Sequence, residues 1–263
     1  MRLVDTHCHL DAAEFDADRD VVVERARAAG VERQVIPAVG AAGWPGLRGL
    51  CARHQGLHPA YGLHPVFLGD DAWQAMEALP GWLERERPCA IGECGLDHYV
   101  EGLDRERQHA VFVRHVELAR DTGLPLVVHA LRAVEEVILV LRRFPGVRGV
   151  VHSYSGSAEQ ARQLFDMGFL LGIGGPVTYD RARRLRALVA AMPLEQLLLE
   201  TDAPDQPDSL RRGERNEPCH LPTVLATIAE LRDEDPAALA AATSANAERL
   251  FGLADAIRSG SER

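Results

Sequence analysis

Short apolar runs alternate along this chain with longer stretches in which apolar residues recur at helical spacing. The short runs predict strands over 2–9, 34–38, 60–63, 89–93, 126–129, 149–152, 169–172 and 197–201. Runs of this length bounded by turn residues suit strands buried on both faces. Between them the pattern predicts helices over 17–29, 46–53, 72–85, 104–121, 134–143, 158–166, 181–190 and 222–231, with a further helix over 236–251 closing the chain. The fourth helix is the best marked. Asp104 opens it, Val111, Phe112, His115, Val116 and Ala119 form its apolar face, and Gly123 with Pro125 ends it.

Alternating strands and helices give a parallel sheet. Eight such units in 263 residues predict one α/β domain over 1–263, a (β/α)8 TIM barrel. An open doubly wound sheet is the alternative. The glycines at Gly172, Gly174 and Gly175 lack the full dinucleotide fingerprint and read as a strand end. The sequence contains no internal repeat, low-complexity tract or linker, and no apolar run approaching the ~18 residues of a membrane span. Met1-Arg2 leads straight into the first strand, which leaves no room for a signal peptide, so a cytoplasmic protein is expected.

Composition narrows the chemistry. Net charge is −10, which argues against a broad basic nucleic-acid groove but not against a nuclease gripping one strand end. All 29 basic residues are arginine, so no carboxylated lysine can bridge two metals, and any bridging carboxylate must be Asp or Glu. The five cysteines (Cys8, Cys51, Cys89, Cys94 and Cys219) match no zinc-ribbon spacing and read as free thiols.

The titratable residues fall in a telling place. His7, His9, His64, Glu93, His129, His152 and Asp202 all sit at or just past the C-terminal end of a predicted strand. In a barrel these ends converge on one mouth, where active sites lie. Residues i and i+2 of a strand face the same side, so His7 and His9 can reach one metal, with Asp5 below to orient them. Glu93 ends a buried apolar strand, a costly place for a carboxylate unless it is paired or binds a cation, and is the expected bridge. His129 and His152 end consecutive strands in the same register. Asp202 is placed to bind a metal and to take a proton from an attacking water, while Glu200, one step deeper, is expected to orient a neighbour or pair with an arginine. His64 has no evident metal role and suits a phosphate oxygen. His54, His58, His98, His109, His115 and His220 lack this placement.

Five segments carry a family resemblance: 5–11, 62–65, 91–97, 152–156 and 200–204, which read DTHCHLD, GLHP, IGECGLD, HSYSG and ETDAP. With RGERNEP at 212–218, and Asn246 and Leu250-Phe251 near the end, they resemble in order the signatures of the TatD family of metal-dependent deoxyribonucleases. The resemblance implies an amidohydrolase-type barrel that hydrolyses phosphodiesters, often as a 3′→5′ exonuclease on DNA. It implies metal ligands at His7, His9, Glu93, His129, His152 and Asp202. The sequence departs from the family at Leu131, where many members carry arginine and Arg132 follows one residue later, and at Cys94 and Tyr154.

The expected mechanism is a two-metal hydrolysis. His7, His9, Glu93 and Asp202 hold one ion; Glu93, His129 and His152 hold the other. Such ligands suit zinc, manganese, nickel or iron better than magnesium. The expected partner is a nucleic acid or other phosphodiester, single-stranded or met at a strand end, with no membrane and no obligate protein partner. Arg132 and Arg212 are candidate phosphate contacts. Arg211, Arg212 and Arg215 overhang the mouth and either steer a phosphate chain or pair with Asp205, Asp208, Glu214 and Glu217. Two alternatives remain open: an amide, ester, lactone or D-aminoacyl-tRNA hydrolase on the same site, and a catalytically silent metal-binding barrel.

Overall fold

A computed structural model describes residues 1–253. Eight strands run in sequence order, every neighbouring pair parallel. They are β1 (Leu3–Asp5), β2 (Val31–Pro37), β3 (Leu57–Tyr61), β4 (Ala90–Asp97), β5 (Leu126–Leu131), β6 (Gly149–Val151), β7 (Phe169–Ile173) and β8 (Leu197–Leu199). The sheet closes just past the ends of β1 and β8. There Thr6 donates its N–H to the Leu199 carbonyl (3.0 Å), Asp202 to that of His7 (2.9 Å) and His9 to that of Ala203 (2.7 Å). The chain is therefore a (β/α)8 barrel, and the open doubly wound alternative is excluded.

Helices α1 (Arg19–Ala28), α2 (Trp44–Arg53), α3 (Ala72–Glu86), α4 (Arg105–Thr122), α5 (Val134–Leu141), α6 (Ala158–Asp166), α7 (Arg183–Ala191) and α8 (Leu221–Arg232) lie outside, and α9 (Pro236–Phe251) follows. The strong signals around α4 correspond to real caps: the Asp104 side chain accepts the Arg107 N–H, and Gly123 takes φ 73°. No helix among the described residues is long and apolar enough to cross a membrane.

Two apolar layers hold the barrel. The larger packs the helices onto the outer face of the sheet. The smaller fills the interior with Val4, Val35, Ala60, Ala90, Val127, Val150 and Leu198, one residue from each of seven strands, with Leu170 of β7 partly buried beside them. Ala247, Leu250 and Phe251 of α9 pack into the same cluster. This apolar layer leaves polar side chains only one place to converge, the mouth at the C-terminal strand ends.

Candidate metal centre

The site begins with Asp5, the last residue of β1, fully buried beneath the mouth. Its carboxylate accepts the N–H groups of His7 (3.2 Å) and Thr201 (3.0 Å) and the Thr201 hydroxyl (2.6 Å). Burial pushes its pKa up to about 7 despite those hydrogen bonds. Asp5 thus ties the first strand to the chain leaving the eighth and fixes the direction of the His7-to-His9 segment.

Glu93 lies at the centre, inside β4 and almost fully buried. Its Oε1 faces Nε2 of His152 (2.8 Å), Nδ1 of His129 (3.1 Å) and Nε2 of His64 (3.2 Å). Its Oε2 faces Nε2 of His7 (3.2 Å) and of His9 (3.4 Å), yet is buried without a hydrogen-bond partner. Burial would raise this carboxyl, but the charges of His64, His152 and His7, with the hydrogen bond from His129, hold it well below the usual carboxylate range. Asp202 completes the ring, with Oδ1 3.5 Å from His7 Nε2 and 3.7 Å from His9 Nε2.

The donor atoms fit cations. His7 Nε2 stands 3.1 Å from His9 Nε2, and His129 Nδ1 stands 3.2 Å from His152 Nε2. Two ring nitrogens pointed at each other need a proton or a metal between their lone pairs. The imidazoles split accordingly. Burial, with the charge of His152, brings His7 down to about 4, whereas for His9 the hydrogen bond and charges of Glu93 and Asp202 outweigh burial and raise it to about 9. The candidate ligand groups are His7, Glu93 and His152; His7, His9 and Asp202; and His64, Glu93 and His129. None contains a thiolate, and the five cysteines are free.

Three supporting residues were not assigned this role from sequence. Asp97, at the end of β4, accepts from His129 Nε2 (2.9 Å), which fixes a proton there and turns Nδ1 toward Glu93. Asp97 is itself held by the N–H groups of Tyr99 and Val100. Gln206, in the loop after β8, donates to Asp202 Oδ2 and to the Ser153 hydroxyl, leaving Asp202 Oδ1 for the histidines. Replacing Asp97 with asparagine should lower metal affinity about 10–100-fold with little change in folding, measured by competition against a fluorescent chelator. His115, buried and neutral, serves the same region: its Nδ1–H donates to the Val111 carbonyl and its Nε2 accepts the Leu63 N–H beside His64.

His64 itself reaches further in than its sequence position indicated. Its Nδ1 accepts the Val66 N–H (3.2 Å), so the ring proton sits on Nε2, which donates into the centre at Glu93. Glu200 has no arginine partner among the described residues. It accepts the Ser153 N–H (2.5 Å) and lies 3.9 Å from His152 Nδ1. Gly172 makes room for it, since a Cβ there would stand 1.9 Å from its Oε2.

The arginines divide. Arg211 pairs with Asp208 (2.7 Å), and Arg215 with Asp18 and Glu217 (2.8 Å each), so these two knit the loop to itself and to α1. Arg212 is exposed. Arg132 lies over the Tyr99 ring (4.7 Å) and lines a side cavity beside Glu135 and Glu136. His9, His64, Glu93, His129, His152 and Asp202 instead line a cavity of about 650 Å³ that opens at the mouth.

A closed barrel with buried carboxylates set among imidazoles at its mouth is the framework of a metal-dependent hydrolase. The chain belongs to the TatD family: the family model described as TatD related DNase matches residues 4–252. It is 38% identical over 256 residues to the uncharacterized metal-dependent hydrolase YjjV of Escherichia coli, covering 96% of this chain and 98% of that one. It is 35% identical over 261 residues to the 3′-5′ ssDNA/RNA exonuclease TatD of Cronobacter sakazakii, covering 95% and 97%. The crystal structure of Escherichia coli YjjV superposes with a TM-score of 0.92 at 36% identity, covering 96% of this chain and 99% of that one.

Proposed function

We propose that the protein is a phosphodiesterase that removes nucleotides from the 3′ end of single-stranded nucleic acid, using two divalent cations bridged by Glu93. The observation that carries this reading is the division of one buried carboxylate between two donor sets: Oε1 toward His129 and His152, Oε2 toward His7 and His9. His7, His9, Asp202 and Glu93 would hold one ion, and His129, His152 and Glu93 the other. Nitrogen and oxygen donors without thiolate favour zinc, manganese, nickel or iron over magnesium.

When bound, such ions lower the pKa of the attacking water and neutralise charge on the phosphoryl oxygens. The chain's own residues do the rest. Asp202 lines the cavity, and Gln206 restrains its Oδ2 while Oδ1 faces His7 and His9, so Oδ1 is the acceptor for the water's proton. The His64 tautomer set by Val66 keeps an N–H on Nε2 beside Glu93, where a phosphoryl oxygen brought to the centre would accept it. The relative named as a 3′-5′ ssDNA/RNA exonuclease supports the substrate class.

The test is a substrate panel run with zinc, manganese, nickel and magnesium separately. It pairs single-stranded oligonucleotides and thymidine 5′-p-nitrophenyl phosphate against p-nitrophenyl acetate, lactones and D-aminoacyl-tRNA. Mononucleotides released from the 3′ end, with the carbon esters turned over far more slowly, are expected. Preferred turnover of an ester, lactone or D-aminoacyl-tRNA would replace the proposal with the carbonyl-hydrolase alternative.

A further inference from the structure

A second cavity, of about 700 Å³, adjoins the metal cavity and shares Leu131, Ser153 and Gln206 with it. Its rim carries Arg181, Arg183 and Arg184, from the chain entering α7 and that helix's first turn. All three are exposed. Arg181 lies over the Tyr179 ring (5.1 Å), and that ring is pinned because its hydroxyl donates to the Pro207 and Asp208 carbonyls. No ion pair joins any of the three to a carboxylate among the described residues; the neighbouring Asp180 is taken by Arg186 (3.6 Å). Arg211 and Arg215, on the loop after β8, are each tied to a carboxylate. Three adjacent guanidiniums without one, on a groove continuous with the metal site, leave positive charge directed at something outside the chain.

The cavity wall beside them is apolar, with the partly exposed Pro176 and Leu185 lining it. A nucleotide has the matching character, a flat base and a charged phosphate. Ser153 and Gln206 form the wall common to both cavities, and Gln206 also holds Asp202. A strand whose scissile phosphate sits at Glu93 and Asp202 would pass that wall and lay its next nucleotides along the groove.

We propose that this groove is the strand-binding track: bases of a single-stranded nucleic acid rest on Pro176 and Leu185, and its phosphates meet Arg181, Arg183 and Arg184. The inference rests on the phosphodiesterase reading above and extends it from the bond broken to the polymer held. It makes the enzyme a reader of chain length, since a single phosphodiester cannot occupy both cavities.

The test uses the metal-loaded protein and the double variant Arg183→Gln/Arg184→Gln. The control is Arg53→Gln/Arg143→Gln, which removes the same charge at the helix C-termini, on the end of the barrel away from the mouth. Binding of a phosphorothioate-linked single-stranded 10-mer is followed by fluorescence anisotropy across a salt series. Neutralising a phosphate contact lowers the slope of log affinity against log salt by about 0.7 per arginine on a single strand, and the pair should weaken binding about tenfold at low salt. The control should leave the slope where it was. In turnover, the ratio of kcat/KM for a 10-mer to that for thymidine 5′-p-nitrophenyl phosphate should fall in the groove variant alone. Wild-type slope and ratio in the groove variant, or equal changes in the control, would overturn the proposal. Because the anisotropy arm needs no cleavage, it decides the groove even if the panel finds no phosphodiester hydrolysis, so failures of the two readings remain distinguishable.

Discussion

Replacing Glu93 with glutamine is expected to remove the metal centre and the activity together. The side chain is almost completely buried and faces five imidazole nitrogens, three on one oxygen and two on the other. Glutamine keeps the shape but exchanges one acceptor for an NH2 donor, which must point at one donor set or the other. It also removes the negative charge that the two sets share. Loss of a residue that merely orients a ligand costs about 10–100-fold in metal affinity, and loss of the shared carboxylate should cost more. The expected readouts are a metal content at or below one equivalent after buffer exchange and turnover at background. Two equivalents retained with near-normal turnover would show that Glu93 does not bridge.

The second large effect separates chemistry from metal binding. Asp202→Asn should retain the fold and much of the metal yet lose about 10²–10⁴-fold in kcat, the usual worth of general acid–base catalysis. The fold should survive because the Asp202 N–H bond to the His7 carbonyl is a backbone contact that asparagine keeps. The chemistry should not, because the carboxylate has two demands on it. Oδ2 accepts from Gln206, and Oδ1 faces His7 and His9. An amide satisfies Gln206 with its oxygen and then turns an NH2 toward the attacking water, where an acceptor is needed. Single-turnover kinetics beside metal analysis would check this. A variant within a few-fold of wild type would remove Asp202 from the proton-transfer role.

Much of the centre was legible in the sequence, for a simple reason. A strand buried on both faces leaves a short apolar run, and the residue where that run stops marks the barrel mouth. His129 after Leu126–Val128, His152 after Gly149–Val151 and Asp202 after Leu197–Leu199 were placed in that way, and the structure brings them together around Glu93. The residues that were missed act without such a marker. The pattern ended the fourth strand at Glu93, whereas β4 continues to Asp97, through a slip in its pairing with β5 between Ile91 and Cys94. Hydropathy carries no sign of such a slip. Gln206 works from a loop whose path depends on Asn216, whose side-chain amide donates to the carbonyls of Thr201, Asp205 and Gln206. The arginines after β8 posed a choice that sequence left open, and the carboxylates of Asp208, Asp18 and Glu217 settle it for Arg211 and Arg215. No sequence signal singles out Arg183 and Arg184, and only the position of α7 beside the metal cavity gives them a meaning.

The most direct test of the central claim is anomalous diffraction from crystals of protein purified without chelator, with data collected on both sides of each candidate metal's absorption edge. Two anomalous peaks are expected, one against Glu93 Oε2 with His7, His9 and Asp202, the other against Oε1 with His129 and His152. A single peak at full occupancy, or a Glu93 carboxylate turned away from both, would contradict it.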